Sequence, residues 1–177
     1  MRNRLIYLVA LLFVIACSSE KKKETASDSS QQNKSASSAE VVEQASFTDL
    51  QGNTVELSAF EGKVVLIDFW ETWCKPCLSS FPTMQKLMEN YPDQFVVLAV
   101  TPGFTDDKED ARTFAQNHDY DFEYLYDENK LHEKLNVQGI PFKVFVGPNG
   151  EFIESSMGSR GPEGDYKHAK EIIEKHG

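Results

Sequence analysis

A three-layer α/β domain with a mixed central sheet is the fold this sequence predicts, and three observations predict it. Val64–Trp70 and Phe95–Val100 are near-continuous apolar runs, as expected of strands covered on both faces. Segments with apolar residues at helical spacing follow each of them. Near the C-terminus a Gly147-Pro148-Asn149-Gly150 turn joins two more strand-like stretches, and a last helical segment closes the chain. Strands alternating with helices, then a hairpin and a helix, give helices on both faces of one sheet.

The elements follow in order. Phe47-Thr48-Asp49-Leu50, a Gln51-Gly52-Asn53 turn and Thr54-Val55-Glu56-Leu57 predict an N-terminal hairpin. Ser58 is positioned to cap a short helical turn ending near Gly62. After the Val64–Trp70 strand, a helix is expected from Cys74 to Asn90, with Leu78, Phe81, Met84, Leu87 and Met88 on its buried side. After the Phe95–Val100 strand, Asp106 or Asp107 opens a polar helix to about His118. Phe122–Tyr126 is a short strand and Asn129–Leu135 a short helix. Phe142–Val146 and Glu151–Ile153 flank the Gly-Pro-Asn-Gly turn, and Pro162–His176 is the last helix. No internal repeat is present.

The 177 residues divide unevenly, into 1–16, 17–43 and 44–177. Arg2 and Arg4 precede an apolar stretch from Leu5 to Ala16, too short for a comfortable membrane span but suited to a leader. Its end, Val14-Ile15-Ala16-Cys17, resembles the bacterial lipobox, which implies cleavage before Cys17, diacylation of that cysteine and a lipid-anchored cell-envelope protein. From Ser18 to Glu43 the chain is Ser, Lys, Glu, Gln and Ala with almost no apolar residue before Val41, the composition of a disordered tether. The remaining domain is large enough for one hydrophobic core without several disulfides as staples. The whole chain carries −10. From Gln44 onward it holds 12 Lys/Arg against 23 Asp/Glu, a net −11 that excludes nucleic acid as a partner.

The chemistry lies where the first buried strand meets its helix, in Trp70-Glu71-Thr72-Trp73-Cys74-Lys75-Pro76-Cys77. Cys74 falls at a helix N-terminus, where unpaired N–H groups and the helix dipole favour a thiolate, the nucleophilic form. Cys77, three residues on, is placed to attack a mixed disulfide formed at Cys74. Pro76 stiffens the turn, Lys75 adds positive charge, and Trp73 offers an apolar surface to a substrate peptide. A structural zinc needs two more ligands. The domain has no further cysteine, and His118, His132, His168 and His176 lack paired spacing, so no metal is expected.

These residues resemble the thioredoxin-like proteins, especially the TlpA/ResA group of membrane-tethered thiol-disulfide oxidoreductases. The likeness extends from Phe47–Ser58 and Gly62–Leu66 through the W-x-x-W-C-x-P-C motif to Gly139-Ile140-Pro141 and the hairpin beyond it. It implies exchange of protein disulfides by Cys74 as nucleophile and Cys77 as resolving thiol, in a monomer without cofactors. It further implies a cis peptide bond at Ile140–Pro141, facing the disulfide and pairing with an extended substrate backbone. Two departures stand out. Ser80 occupies the position where that group usually carries Glu, and Asp68 stands in the first buried strand, where a carboxyl should be desolvated and its pKa raised. Asp68 is therefore the candidate acceptor of the Cys77 proton. The resemblance favours reduction of exported proteins, which requires a membrane electron donor, over a disulfide-forming oxidant or isomerase. A peroxiredoxin-like peroxidase calls for Pro-x-x-x-Thr-x-x-Cys, but positions 67 and 71 are Ile67 and Glu71. A copper-handling protein of this fold has wider cysteine spacing and a downstream His, for which His132 is the nominal candidate. Phe104 lies in the loop after the second buried strand, at the end of the sheet where α/β folds place ligand contacts.

Overall fold

The computed structural model describes residues 38–177. The expected leader, Cys17 and most of the expected tether lie outside the described residues. Residues 38–43, assigned to that tether by composition, form a helix (α1) whose Val42 is fully buried. The packed chain thus begins ahead of the boundary expected at Gln44.

Seven strands form one mixed sheet in the order β2-β1-β5-β4-β3-β6-β7. Its centre is β3 (Val64–Phe69), β4 (Phe95–Thr101) and β5 (Glu123–Tyr126), all parallel. β6 (Phe142–Val146) runs antiparallel to β3, and β7 (Phe152–Met157) closes that edge. The hairpin of β1 (Ser46–Asp49) and β2 (Thr54–Glu56) joins the other edge through antiparallel pairing of β1 with β5. Every residue of β3 and β4 is buried, which is why both read as unbroken apolar runs instead of alternating ones.

The crossovers sort the helices. α2 (Lys75–Asn90) and α3 (Lys108–Asn117) connect parallel neighbours running the same way, and with α5 (Gly161–His176) they supply residues to one core. That core holds Val64, Leu66, Trp70, Cys74, Cys77, Phe81, Phe95 and Ile173. On the opposite face Val65, Ile67, Phe69, Val96 and Leu98 meet Val42 of α1, Leu57 of a short 3-10 turn (Leu57–Phe60), and Leu131 of α4 (Leu131–Lys134). Side-chain alternation along β3 assigns Leu66, Asp68 and Trp70 to the α2 face. Aromatic rings fill the space beneath the Cys77 helix. The Trp70 ring centroid lies 5.1 Å from Phe81 and 4.6 Å from Phe114, and Phe81 lies edge-on to Tyr120 and Phe122.

α2 carries Pro82 in its interior, where proline cannot donate a backbone hydrogen bond. Three hydroxyls nearby bond back along the helix: Ser79 to Pro76 O, Ser80 to Cys77 O and Thr83 to Ser80 O, at 2.7–2.9 Å. β7 runs beyond the Glu151–Ile153 strand expected from apolar content. It is an edge strand, so its Glu154-Ser155-Ser156 stretch meets solvent without breaking the ladder.

Candidate active site

Cys74 is the N-cap of α2 and Pro76 lies in its first turn. Cys74 and Cys77 form a disulfide, with Cα atoms 5.3 Å apart. The Cys77 N–H donates to Cys74 Sγ at 3.3 Å, the kind of contact that stabilises a thiolate once the bond is reduced. Both cysteines are nearly inaccessible, whereas Lys75 and Pro76 between them are exposed. Cys74 keeps a trace of exposure and Cys77 none, with exposed Trp73, Lys75 and Pro76 beside them in the chain.

Trp73 is 56% exposed and Phe104 42% exposed; with Met157 they are the exposed large apolar side chains among the described residues. Met157 stands opposite Phe142 in the β6–β7 register, one residue from Pro141. The Ile140–Pro141 peptide bond is cis. Pro141 is buried and its carbonyl accepts from the Gly158 N–H, while Ile140 packs against the cluster containing both cysteines.

A polar group lies inside the core, between β3 and β6. Asp68 is fully buried and Lys143, opposite it on β6, is 2% exposed. Lys143 Nζ donates to Asp68 Oδ1 at 3.3 Å and lies 3.2 Å from Oδ2, but off the hydrogen-bonding direction. Oδ2 is left with no hydrogen-bond partner among the described residues. Burial raises the Asp68 pKa above the ordinary aspartate value; the Lys143 charge and its hydrogen bond oppose the rise, and Asp165 of α5 adds to it. Asp165 is itself buried, accepting from Ser159 Oγ at 2.7 Å and from the Arg160 N–H at 3.0 Å. Ser80, where the resemblance would place a Glu, is buried and tied to the Cys77 carbonyl, leaving Asp68 as the core carboxyl on the α2 face of β3.

A further buried carboxylate, which sequence reasoning did not single out, ties Trp73 to the loop after β4. Glu71 is 0% exposed. Its Oε2 accepts from Trp73 Nε1 at 2.7 Å and from Thr105 Oγ1 at 2.6 Å, and its Oε1 accepts from the Phe104 N–H at 2.5 Å. The Thr105 N–H lies 3.2 Å from both oxygens. In the opposite sense, the Thr72 N–H donates to Asp106 Oδ2 at 2.5 Å. The loop after β4 and the loop after β3 emerge at the same end of parallel neighbours, and these carboxylates stitch them together. Gly103 makes the turn possible: its φ of +81° suits glycine, and a Cβ there would run into the Tyr126 hydroxyl.

No group of three or more His, Cys, Asp and Glu is gathered into a metal site among the described residues. His132 instead bonds Asp127 at 2.7 Å and stands edge-on to Phe104 with centroids 5.4 Å apart. A cleft of about 360 Å³ lined by Leu57, Phe60, Val65, Val146 and Gly147 lies at the opposite end of β3 from the disulfide.

A seven-stranded mixed sheet with a Cys-x-x-Cys disulfide capping the helix after its central strand defines a protein that exchanges disulfides with other proteins. The chain belongs to the AhpC/TSA family, which it matches over residues 36–155, and within it to the thioredoxin-like thiol-disulfide oxidoreductases. It is 33% identical over 115 residues to the thioredoxin-like protein YneN of Bacillus subtilis, covering 64% of this chain and 68% of that one. It is 30% identical over 127 residues to the thiol-disulfide oxidoreductase ResA of Bacillus thuringiensis, 71% of this chain and 72% of that one. The exposed lipoprotein thioredoxin of Streptococcus pneumoniae superposes with a TM-score of 0.60 at 28% identity, over 72% of this chain and 98% of the other.

Proposed function

We propose that this protein is a lipid-anchored reductant of disulfides in exported proteins, facing the periplasm or another extracytoplasmic space. The observation that carries the exchange chemistry is the Cys74–Cys77 disulfide at the N-terminus of α2, with the Cys77 N–H on Cys74 Sγ. In the reduced protein the Cys74 thiolate attacks a substrate disulfide, forming a mixed disulfide and releasing one substrate thiolate. Cys77 then gives its proton to Asp68 and attacks Cys74 Sγ. The second substrate thiol leaves, and the chain is left oxidised as Cys74–Cys77. Two electrons from a membrane donor restore the dithiol. Trp73, Ile140 and Pro141 carry the substrate segment, Lys75 and Pro76 tune the pair, and Cys17 bears the lipid. The lipid-anchored relative from Streptococcus and the Val14-Ile15-Ala16-Cys17 run support the anchor.

The reduction potential of the Cys74–Cys77 couple tests the direction. We expect a value at or below about −230 mV; a value near about −120 mV would make the protein a disulfide-forming oxidant instead. Labelled fatty acid should be incorporated by the full chain and lost on Cys17→Ala; unchanged membrane retention without label would remove the anchor. A peroxiredoxin-like peroxidase is the second reading; the absence of its motif at Ile67 and Glu71 weighs against it, and only peroxide turnover at a rate comparable with disulfide exchange would favour it.

A further inference from the structure

Among the described residues the buried carboxylate of Glu71 forms no ion pair, and every donor it accepts from belongs to Trp73 or to the loop at Phe104–Thr105. A carboxylate removed from water is costly unless its lone pairs are filled, and here they are. What the arrangement achieves is unusual. The side chains it fixes, Trp73 and Phe104, are themselves 56% and 42% exposed, so holding them still buries little apolar surface on folding. Ordering exposed aromatic groups costs conformational entropy in the free protein and is returned when a ligand covers them, because a pre-organised surface has less freedom left to lose. The Trp73 indole is held twice, by Glu71 Oε2 and by Thr105 Oγ1 at 2.6 Å. The Phe104 ring is held from behind, edge-on to His132, which Asp127 fixes in turn.

We infer that Glu71 is a specificity-determining positioning residue: it locks Trp73 and Phe104 into one rigid apolar rim beside Cys74, which selects polypeptide segments with an aliphatic or aromatic side chain next to the reacting cysteine. The occupant follows from the rim's chemistry and its continuity with the disulfide. Trp73 adjoins Cys74 in the chain, and the Phe104 N–H is bonded to the residue two before Trp73. The rim is aromatic on an otherwise acidic domain, so it suits an apolar side chain better than a charged one. This rests on the disulfide-exchange reading.

The test compares two disulfide-bonded peptides that differ only beside the cysteine, one with Phe and one with Ser, exchanging with the reduced chain. Apolar discrimination of this kind is worth about tenfold or more, and the unaltered protein is expected to favour the Phe peptide by about tenfold in kcat/KM, chiefly through KM. Glu71→Gln keeps the shape but turns an N–H₂ group toward either the indole N–H or the loop amides. It should bring the ratio to within about twofold of unity and increase iodide quenching of Trp73, while buried Trp70 stays protected. Phe104→Ala, at an exposed position that tolerates truncation, should lower the ratio as far. The double variant should fall no further, because Glu71 acts through the rim. An unchanged ratio in either variant, fully additive losses, or equal rates for the two peptides with the unaltered protein would overturn the inference. Exchange with neither peptide would overturn the disulfide-exchange reading along with it.

Discussion

Two buried carboxylates stand three residues apart in this chain, and they are built in opposite ways. Asp68 lies in the sheet with a lysine near both oxygens but hydrogen-bonded to only one, and among the described residues nothing is bonded to the other. Glu71, just past the strand, has neutral donors on both oxygens and, among the described residues, no ion-pair partner. At Asp68 desolvation favours the acid and Lys143 the anion, with desolvation the larger, so the pKa lies above the ordinary aspartate value. A carboxylate filled by donors that cannot follow it if it moves is held in place. The first arrangement suits a group that takes a proton and returns it; the second suits a group that fixes geometry. Both sit within one strand and turn of Cys74, and on the proposed mechanism proton handling and substrate surface fall to separate residues.

The sharpest way to break that contrast is Asp68→Asn. If Asp68 accepts the Cys77 proton, only its ionised form works. The rate of the resolving step should then rise with pH through a value above the ordinary aspartate range. Asn has no such form, so the limb should vanish. General-base assistance is worth roughly 10²–10⁴-fold, and a slowing of about 100-fold at neutral pH is expected, measured by single-turnover decay of the mixed disulfide. Glu71→Gln should leave that limb where it is and change peptide preference instead. A variant Asp68→Asn with an unaltered limb would show that Asp68 is only structural and that the two carboxylates do not divide the work.

How far the sequence reveals this division depends on where each partner lies. Cys74, Cys77 and Pro76 were legible because their chemistry is local: four consecutive residues at a strand-to-helix junction that hydrophobic periodicity locates. Asp68 was legible because a carboxyl in an unbroken apolar run must be desolvated. Lys143 was not, because strand alternation allows a polar residue in Phe142–Val146 to face solvent. Only the β3–β6 register sets it opposite Asp68. Glu71 read as one more polar residue in a loop, since its acceptors meet backbone N–H groups 33 and 34 positions away and a backbone amide leaves no mark on a sequence. The burial of Val42 was hidden for a similar reason. Two valines in a polar stretch fall below any compositional threshold, yet the open face of the sheet needs an apolar cover.

Lys143→Met offers a smaller and more discriminating effect, because it removes the cation but keeps the bulk. Of the charges facing Asp68, Lys143 lowers its pKa and Asp165 raises it, so losing Lys143 pushes the Asp68 pKa higher still. Asp68 then stays neutral to higher pH, and the limb in the resolving rate should move upward in pH without disappearing. Stability follows the same sign. Below the ordinary aspartate range Asp68 is protonated in both folded and unfolded chains, and the lost lysine is felt only through packing. As pH rises, the unfolded chain ionises freely while the folded one must either keep its proton or bury an unpaired anion. The deficit therefore grows with pH and levels off only above the raised folded value. Breaking a buried pair from one side costs about 3–5 kcal/mol, an upper bound here because Asp68 escapes part of it by remaining protonated. Urea unfolding at pH 4 and pH 8 measures the difference, and adding Asp68→Asn to Lys143→Met should restore most of the pH 8 loss. A deficit equal at both pH values would mean that the lysine serves packing alone and that Asp68 is not balanced between two protonation states.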